Sequence, residues 1–281
     1  MTAARTPPHP RPGLILHLAG PLQSWGEKSR FNQRDTVRFP TRSGVIGLIA
    51  SALGRRRDQP LDDLRQLRIA VRADRPGTIL RDFHTVGGGM PPKLTVATAE
   101  GKHRPGETGT LVSHRYYLQD AVFTLAITTD PEYLPLLDQC QAALCEPAWP
   151  LYLGRRSCPP TGPLLLTRTE DAWKDLTHLP LHEPQPEHWK REPRRAVVFR
   201  ADEPLDALPI PTGATLDARE ITAQINDEPV SFTPLDRQYL GRTVYQRTMR
   251  IPIEQCSGYG ADYLAALHTY LNAHTTEEAA R

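Results

Sequence analysis

Apolar residues along this chain fall into short runs and alternating stretches, cut apart by glycine and proline. Leu14-Ile15-Leu16-His17-Leu18 is a brief apolar run closed by Ala19-Gly20-Pro21 and predicts a first strand. After a polar, basic loop, Pro40-Thr41-Arg42-Ser43 opens a helix. Thr41 and Ser43 are both N-cap candidates, and Val45, Ile46, Ile49, Ala52 and Leu53 follow at helical spacing up to a stop at Gly54. Gly44, Gly47 and Ser51 form a small-residue stripe on another face, suited either to tight packing or to close approach by a partner. Leu67, Ile69, Val71 and Ala73 alternate with Arg68, Ala70 and Arg72 and predict a half-exposed strand. Thr78 to Val86 is a further extended segment, broken by Gly87-Gly88-Gly89. Leu94 to Ala99 and Gly109 to Tyr117 read as the arms of a long hairpin. Ala121 to Thr128 predicts a strand and Pro131 to Cys145 a helix.

The order β, α, β, β, insertion, β, α predicts an α+β fold of ferredoxin-like (RRM-like) type with an enlarged β-hairpin. The pattern changes after Pro147, where prolines crowd and Pro180 to Pro193 reads as a loop. Arg195 to Ala201, Pro229 to Thr233 and Leu240 to Ile253 predict strands, and Asp262 to Ala273 a closing helix. The expected divisions are a disordered extension over 1–12, the ferredoxin-like domain over 13–146, and a smaller C-terminal β-rich part over 147–281.

Composition sharpens this picture at three points. The 28 prolines in 281 residues are about twice the usual share and exclude an all-helical bundle. No stretch approaches the roughly 20 apolar residues that span a bilayer, and the basic, Pro-rich Met1–Pro12 has no apolar segment of a secretion signal. Cys140, Cys145, Cys158 and Cys256 show no CxxC spacing. They are not a disulfide framework, and a cytoplasmic compartment follows; Cys140 and Cys145, in one predicted helix, read as packed thiols.

Charge is more informative than its net of +2. Residues 1–120 hold 19 Lys+Arg and 10 Asp+Glu, a net of +9, and the remainder is at −7. A basic, Arg-rich half predicts a polyanionic partner, RNA or DNA. Arg34, Arg38 and Arg42 approach the first helix at four-residue spacing, and the N–H groups at Thr41-Arg42-Ser43-Gly44 suit a phosphate. Trp25 and Phe31 suit either base stacking or the core. No phosphate loop, metal-ligand cluster or nucleophile motif is present, so no metal or cofactor is expected. His84, His114, Tyr116, Lys93 and Lys102 are the parts a metal-independent ribonuclease would need, without a spacing signature.

Three blocks carry a family resemblance: Leu18-Ala19-Gly20-Pro21-Leu22-Gln23-Ser24-Trp25-Gly26; Arg34-Asp35-Thr36 with Pro40-Thr41-Arg42-Ser43-Gly44-Val45-Ile46-Gly47-Leu48; and Pro150-Leu151-Tyr152-Leu153-Gly154-Arg155-Arg156-Ser157-Cys158-Pro159-Pro160. The chain resembles the CasD family of type I-E CRISPR surveillance complexes (Cascade) over about residues 13–255. The resemblance implies a RAMP-type fold with a hairpin thumb near 85–113. It implies a non-catalytic subunit that caps the complex and binds the five-prime handle of the CRISPR RNA. The implied partners are a CasC-like backbone subunit and a CasA-like large subunit, with target DNA met only indirectly and no membrane. The family pattern places RNA contacts at Gln23, Ser24 and Trp25, at Thr41, Arg42 and Ser43, and at Arg155 and Arg156. Arg34 and Arg38 join them on charge, as do Lys102 and Arg104 of the thumb. Because the homologous subunit of the related type I-C branch cuts RNA, a repeat-processing endoribonuclease is the alternative.

Overall fold

The computed structural model describes residues 10–27, 32–98, 101–104, 109–185, 193–234 and 236–279. The expected extension lies almost wholly outside these, as do Phe31 and part of the Pro180–Pro193 loop. The chain runs through β1 (Gly13–Ala19), the short β2 (Leu22–Gln23) and β3 (Gln33–Arg34), α1 (Arg42–Ala52), β4 (Arg68–Arg75), β5 (Thr78–Val86), β6 (Leu111–Gln119), β7 (Val122–Thr128) and α2 (Leu134–Cys145). It continues through β8 (Leu165–Thr169), α3 (Ala172–His178), β9 (Arg194–Ala201), β10 (Thr215–Leu216), β11 (Ile221–Ser231), β12 (Gln238–Pro252) and α4 (Gly260–Ala279). The fold is α+β, built on a mainly antiparallel sheet.

The large sheet has the order β10-β12-β9-β4-β7-β1-β8, with β11 also paired to β12. β7 lies between β1 and β4, and β9, β10, β11 and β12 extend the same sheet beyond β4. Both faces are covered. Leu14, Leu16 and Leu18 face a core shared with α1 and α2, whereas Ile15 faces a second core with Trp173, Leu176, Tyr263 and Leu267 of α3 and α4. A strand covered on both sides reads as an unbroken apolar run, as β1 does.

The same coverage corrects one expectation. β4 was expected to be half-exposed, yet Arg72 is fully buried. Its guanidinium bonds the Asp74 carboxylate at 2.6 and 3.0 Å and the carbonyls of Leu176, Leu179 and Pro180. A buried charge is tolerable only when every donor is matched in this way. A second correction concerns the hairpin. β6 pairs with β5, in register from Thr78↔Gln119 to Val86↔Leu111, and among the described residues not with 94–98. Residues 87–110 form the connection, where Pro92–Leu94 is a turn of 3-10 helix. Gly87 begins it at φ 82°, in the left-handed region. A third is Cys145, which is exposed while the other three cysteines are buried.

β1, the loop after α3, and α4 meet through a ring stack. His17 Nε2 lies 3.1 Å from His182 Nδ1, and the His182 ring stacks 4.2 Å from that of Tyr263. Burial pushes His17 down to about 4; Asp74 opposes this, and His182, Arg72 and Arg75 reinforce it. The folded value lies below the unfolded one near 6.5. The contribution is therefore complete above pH 6.5 and is lost as pH falls towards 4, amounting to about 3 kcal/mol. Urea midpoints measured from pH 7 to 4.5 will fall less steeply for His17→Gln than for the wild type; equal slopes would contradict this assignment.

Candidate nucleic-acid interface

The opening of α1 is the first place to test for a phosphate site, and the protein itself fills it. Thr41 is extended and caps the helix, its Oγ1 accepting from Gly44 N–H. The Arg42 N–H donates to Asp227 Oδ2 at 2.7 Å, so an internal carboxylate already occupies the positive end of the helix. The Arg42 side chain is 5% exposed and turned inward. It bonds Glu228 and Asp202, each at 2.5 Å, and the carbonyls of Leu67 and Arg65. Arg242 joins the same cluster through Asp227 and Asp202. The expected phosphate contact by Arg42 is thus corrected to a buried ion pair. Thr41 is corrected to a buried cap.

The Gln23–Trp25 segment is internal as well. Gln23 Nε2 donates to the carbonyls of Leu18 and Ala121, and its Oε1 accepts from the fully buried Trp25 indole. Ser24 is buried, and its N–H donates to the Leu153 carbonyl at 3.0 Å. That last contact pins the Gly154-Arg155-Arg156-Ser157 loop. Gly154 sits at φ 92°, and a Cβ there would lie 1.7 Å from the Ser24 carbonyl oxygen. Arg155 completes the clamp. It donates to the carbonyls of Tyr116, Arg34 and Asp35 and lies 4.7 Å over the Tyr117 ring. The side chains of Gln23, Ser24 and Trp25, expected to touch RNA directly, are buried and serve as scaffold contacts, whereas Arg155 is half-exposed and its bonds to carbonyls leave Nε uncommitted.

What this scaffold presents is different. Arg34, Arg38, Lys102 and Arg156 are exposed, and Ser43 is half-exposed. Arg104 is half-buried, with Nε enclosed and unpartnered among the described residues. Ser43 and Arg156 line an open groove of about 1030 Å³ between α1, the loop after α2 and the β11–β12 connection. Five arginines line it against one acidic residue, Asp58. Asp63 holds Arg55, and Asp58 lies 3.7 Å from Arg56. Arg57, Arg156 and Arg237 have no acidic partner among the described residues. Trp149, Tyr152, Phe232 and Tyr239 give the groove aromatic walls. The charge pattern did not single out these residues, although the Arg55-Arg56-Arg57 run directly after α1 was a usable signal.

The ribonuclease parts do not converge. Phe83 stands opposite His114 in the β5–β6 ladder, and His84 opposite Ser113. Successive strand residues face opposite sides, so His84 and His114 project from opposite faces of the hairpin. Tyr116 shares the face of His114, and Lys93 lies beyond Gly87 in the connection.

A family model described as CRISPR-associated protein (Cas_Cas5) matches residues 13–245. The chain is 39% identical over 164 residues to the CRISPR system Cascade subunit CasD of Escherichia coli (strain K12), covering 54% of this chain and 69% of that protein. It is similar to a chain of a CRISPR RNA-guided surveillance complex, with a TM-score of 0.76, 39% identity, and 92% of this chain and 99% of that one covered. A second structure, a Cas protein, matches with a TM-score of 0.54 at 28% identity, covering 89% and 99% of the two chains.

Arg42→Ala will lower unfolding stability by about 3–5 kcal/mol, because it strands buried carboxylates. Arg156→Ala will change stability by no more than about 0.5 kcal/mol, as for other exposed residues. Denaturant midpoints of the two variants check the contrast.

Proposed function

The chain belongs to the CRISPR-associated Cas5 family, and we propose that it holds the five-prime handle of the CRISPR RNA within Cascade. It is a subunit of that RNA-guided surveillance complex. The observation that carries the handle-binding reading is the groove beside α1, where Arg57, Arg156 and Arg237 stand among aromatic walls with no acidic partner among the described residues. Guanidinium groups of this kind pair bidentately with phosphate oxygens, and single-stranded RNA adds stacking of its unpaired bases. Arg34 and Arg38 are exposed on the segment that Arg155 clamps beside the groove and extend the basic track.

In this reading the β1-β4-β7-β8 strands with α1 and α2 are a ferredoxin-like RAMP core. The β5–β6 hairpin and its connection are the thumb. Phe83 at 63% exposure and Leu94 at 67% give that thumb an apolar surface for the neighbouring CasC-like subunit or for RNA. Lys102 and Arg104 supply its charge. A CasA-like large subunit is the second protein partner, and target DNA is met through the guide. No helix among the described residues is long and apolar enough to cross a membrane, and the proposed compartment is the cytoplasm, where the guide RNA is made.

The subunit binds RNA and does not cut it, a reading supported by the divergent faces of His84 and His114. Incubating the purified chain with labelled repeat RNA in EDTA tests this: retention is expected, and site-specific cleavage lost in His114→Ala would overturn it. Arg57→Ala, Arg156→Ala and Arg237→Ala together will weaken retention of the RNA in filter binding. Each lost phosphate contact will reduce the slope of log K against log salt by about 0.7. An unchanged slope would remove the groove from the RNA path.

A further inference from the structure

One cation of the large sheet is drawn out of water with nothing beside it to neutralise it. Arg200 lies near the end of β9, with Val71 of β4 opposite it on one side and Gln246 of β12 on the other. Residues directly opposite in a ladder share a face. This is the face of Val71 and Val198, which pack on the core under α1. The Arg200 guanidinium stands 4.7 Å over the Phe39 ring, and among the described residues it has no hydrogen bond and no acidic partner. Burial pushes its pKa down to about 10, and no carboxylate opposes that push.

The guanidinium opens on a narrow recess of about 10 Å³, room for about one water-sized group. Phe39, Pro40, Ile69, Val71 and Val244 give it apolar walls. Asp202 is the one acid of the lining and is already committed, since its carboxylate accepts from Arg42, Arg242 and the Ile69 N–H. A desolvated charge left unpaired destabilises the chain that carries it. The other inward-turned arginines avoid this: Arg42, Arg72 and Arg242 each meet a carboxylate. Arg200 departs from that pattern, and it does so at a half-exposed position that another molecule can reach.

We infer that Arg200 is a socket for a carboxylate supplied by a neighbouring subunit of the complex: an Asp or Glu side chain enters the recess, with Gln246 beside it as a second donor, and completes an ion pair that the isolated chain lacks. This rests on the chain's place in Cascade and not on the arginine groove beside α1. The fit is to an acid on a peptide. Phe39 covers one face of the planar fork, which leaves its edge for an in-plane, bidentate carboxylate. The apolar walls match the methylenes that carry such a group. A phosphodiester would press hydrated sugars against the same walls, and Phe39 is packed between the core and the guanidinium rather than free to stack a base.

The test uses the full chain, alone and co-expressed with the other Cascade subunits and guide RNA. Arg200→Met keeps a long side chain against Phe39 and removes the charge. Alone, this variant will melt no lower than the wild type, because an unpaired buried charge has been removed. In the complex, recovered through a tag on another subunit, it will be retained about tenfold less, because the partner's acid is then left buried and unpaired. Stability and assembly will thus move apart, which loss of a merely structural arginine would not produce. Carbodiimide treatment of the Arg200→Lys complex will join the substituted side chain to an Asp or Glu of a neighbouring subunit, read by mass spectrometry. A lower melting temperature of Arg200→Met alone, or a crosslink only to acids of this chain, overturns the socket by showing the charge satisfied internally. Wild-type retention of Arg200→Met, or no crosslink at all, overturns it as well. So does weaker filter binding of single-stranded oligouridylate by isolated Arg200→Met with a reduced salt slope, which would make Arg200 an RNA contact. A wild-type chain that binds no RNA would remove the handle-binding reading and leave the socket standing.

Discussion

Arg42 and Arg242, set among Asp202, Asp227 and Glu228, form the interaction on which the rest of this structure depends. The cluster draws together the first turn of α1, the entry to β4, the end of β9 and the β11–β12 hairpin. Asp202 also accepts from the Ile69 N–H, and Arg42 also bonds two carbonyls before β4, so the network extends into the backbone. Removing five ionised groups from water is expensive, and the cluster is tolerable only because nearly every lone pair and donor is matched. Its yield is positional specificity: a shift of the C-terminal hairpin relative to α1 would leave charges buried and unpaired.

That constraint fixes the geometry of the groove. One wall comes from α1 and the Arg55–Arg57 run, another from Phe232, Arg237 and Tyr239 around the start of β12. These parts are far apart in sequence, and the ion cluster beneath them sets their spacing. The Gly154 loop supplies a third wall and is held by the Ser24 N–H bond to the Leu153 carbonyl and by the bonds of Arg155 to the Tyr116, Arg34 and Asp35 carbonyls. A rigid frame of this kind spares a ligand the cost of ordering the protein on binding.

Arginine does two kinds of work here, and burial separates them. Arg42, Arg72, Arg155 and Arg242 are consumed by carboxylates and carbonyls, and they bind the two layers and the connecting loops into one body. Arg57, Arg156 and Arg237 face solvent and carry no acidic partner among the described residues, and they are the ones proposed for phosphate. The basic bias of the first 120 residues is therefore partly structural, and the acidic C-terminal part supplies the counter-charges that neutralise it from within.

The sequence by itself determined the local elements and the family. β1, α1 with its Thr41 cap and Gly54 stop, β7, α2, β9, β12 and α4 were legible because periodicity and capping are decided within a few neighbouring residues. The motif blocks around Trp25, Arg42 and Arg155 identified the relatives. Only the tertiary structure decided which of these conspicuous residues are free. The acids that capture Arg42 lie 160 and 186 residues away, beyond the reach of any local pattern. Strand pairing had the same character: β6 could satisfy its ladder with any nearby extended segment, and long-range register selected β5. Charge and aromaticity are properties of a residue, whereas exposure and pairing are properties of the whole fold, and it is the latter that make a binding surface.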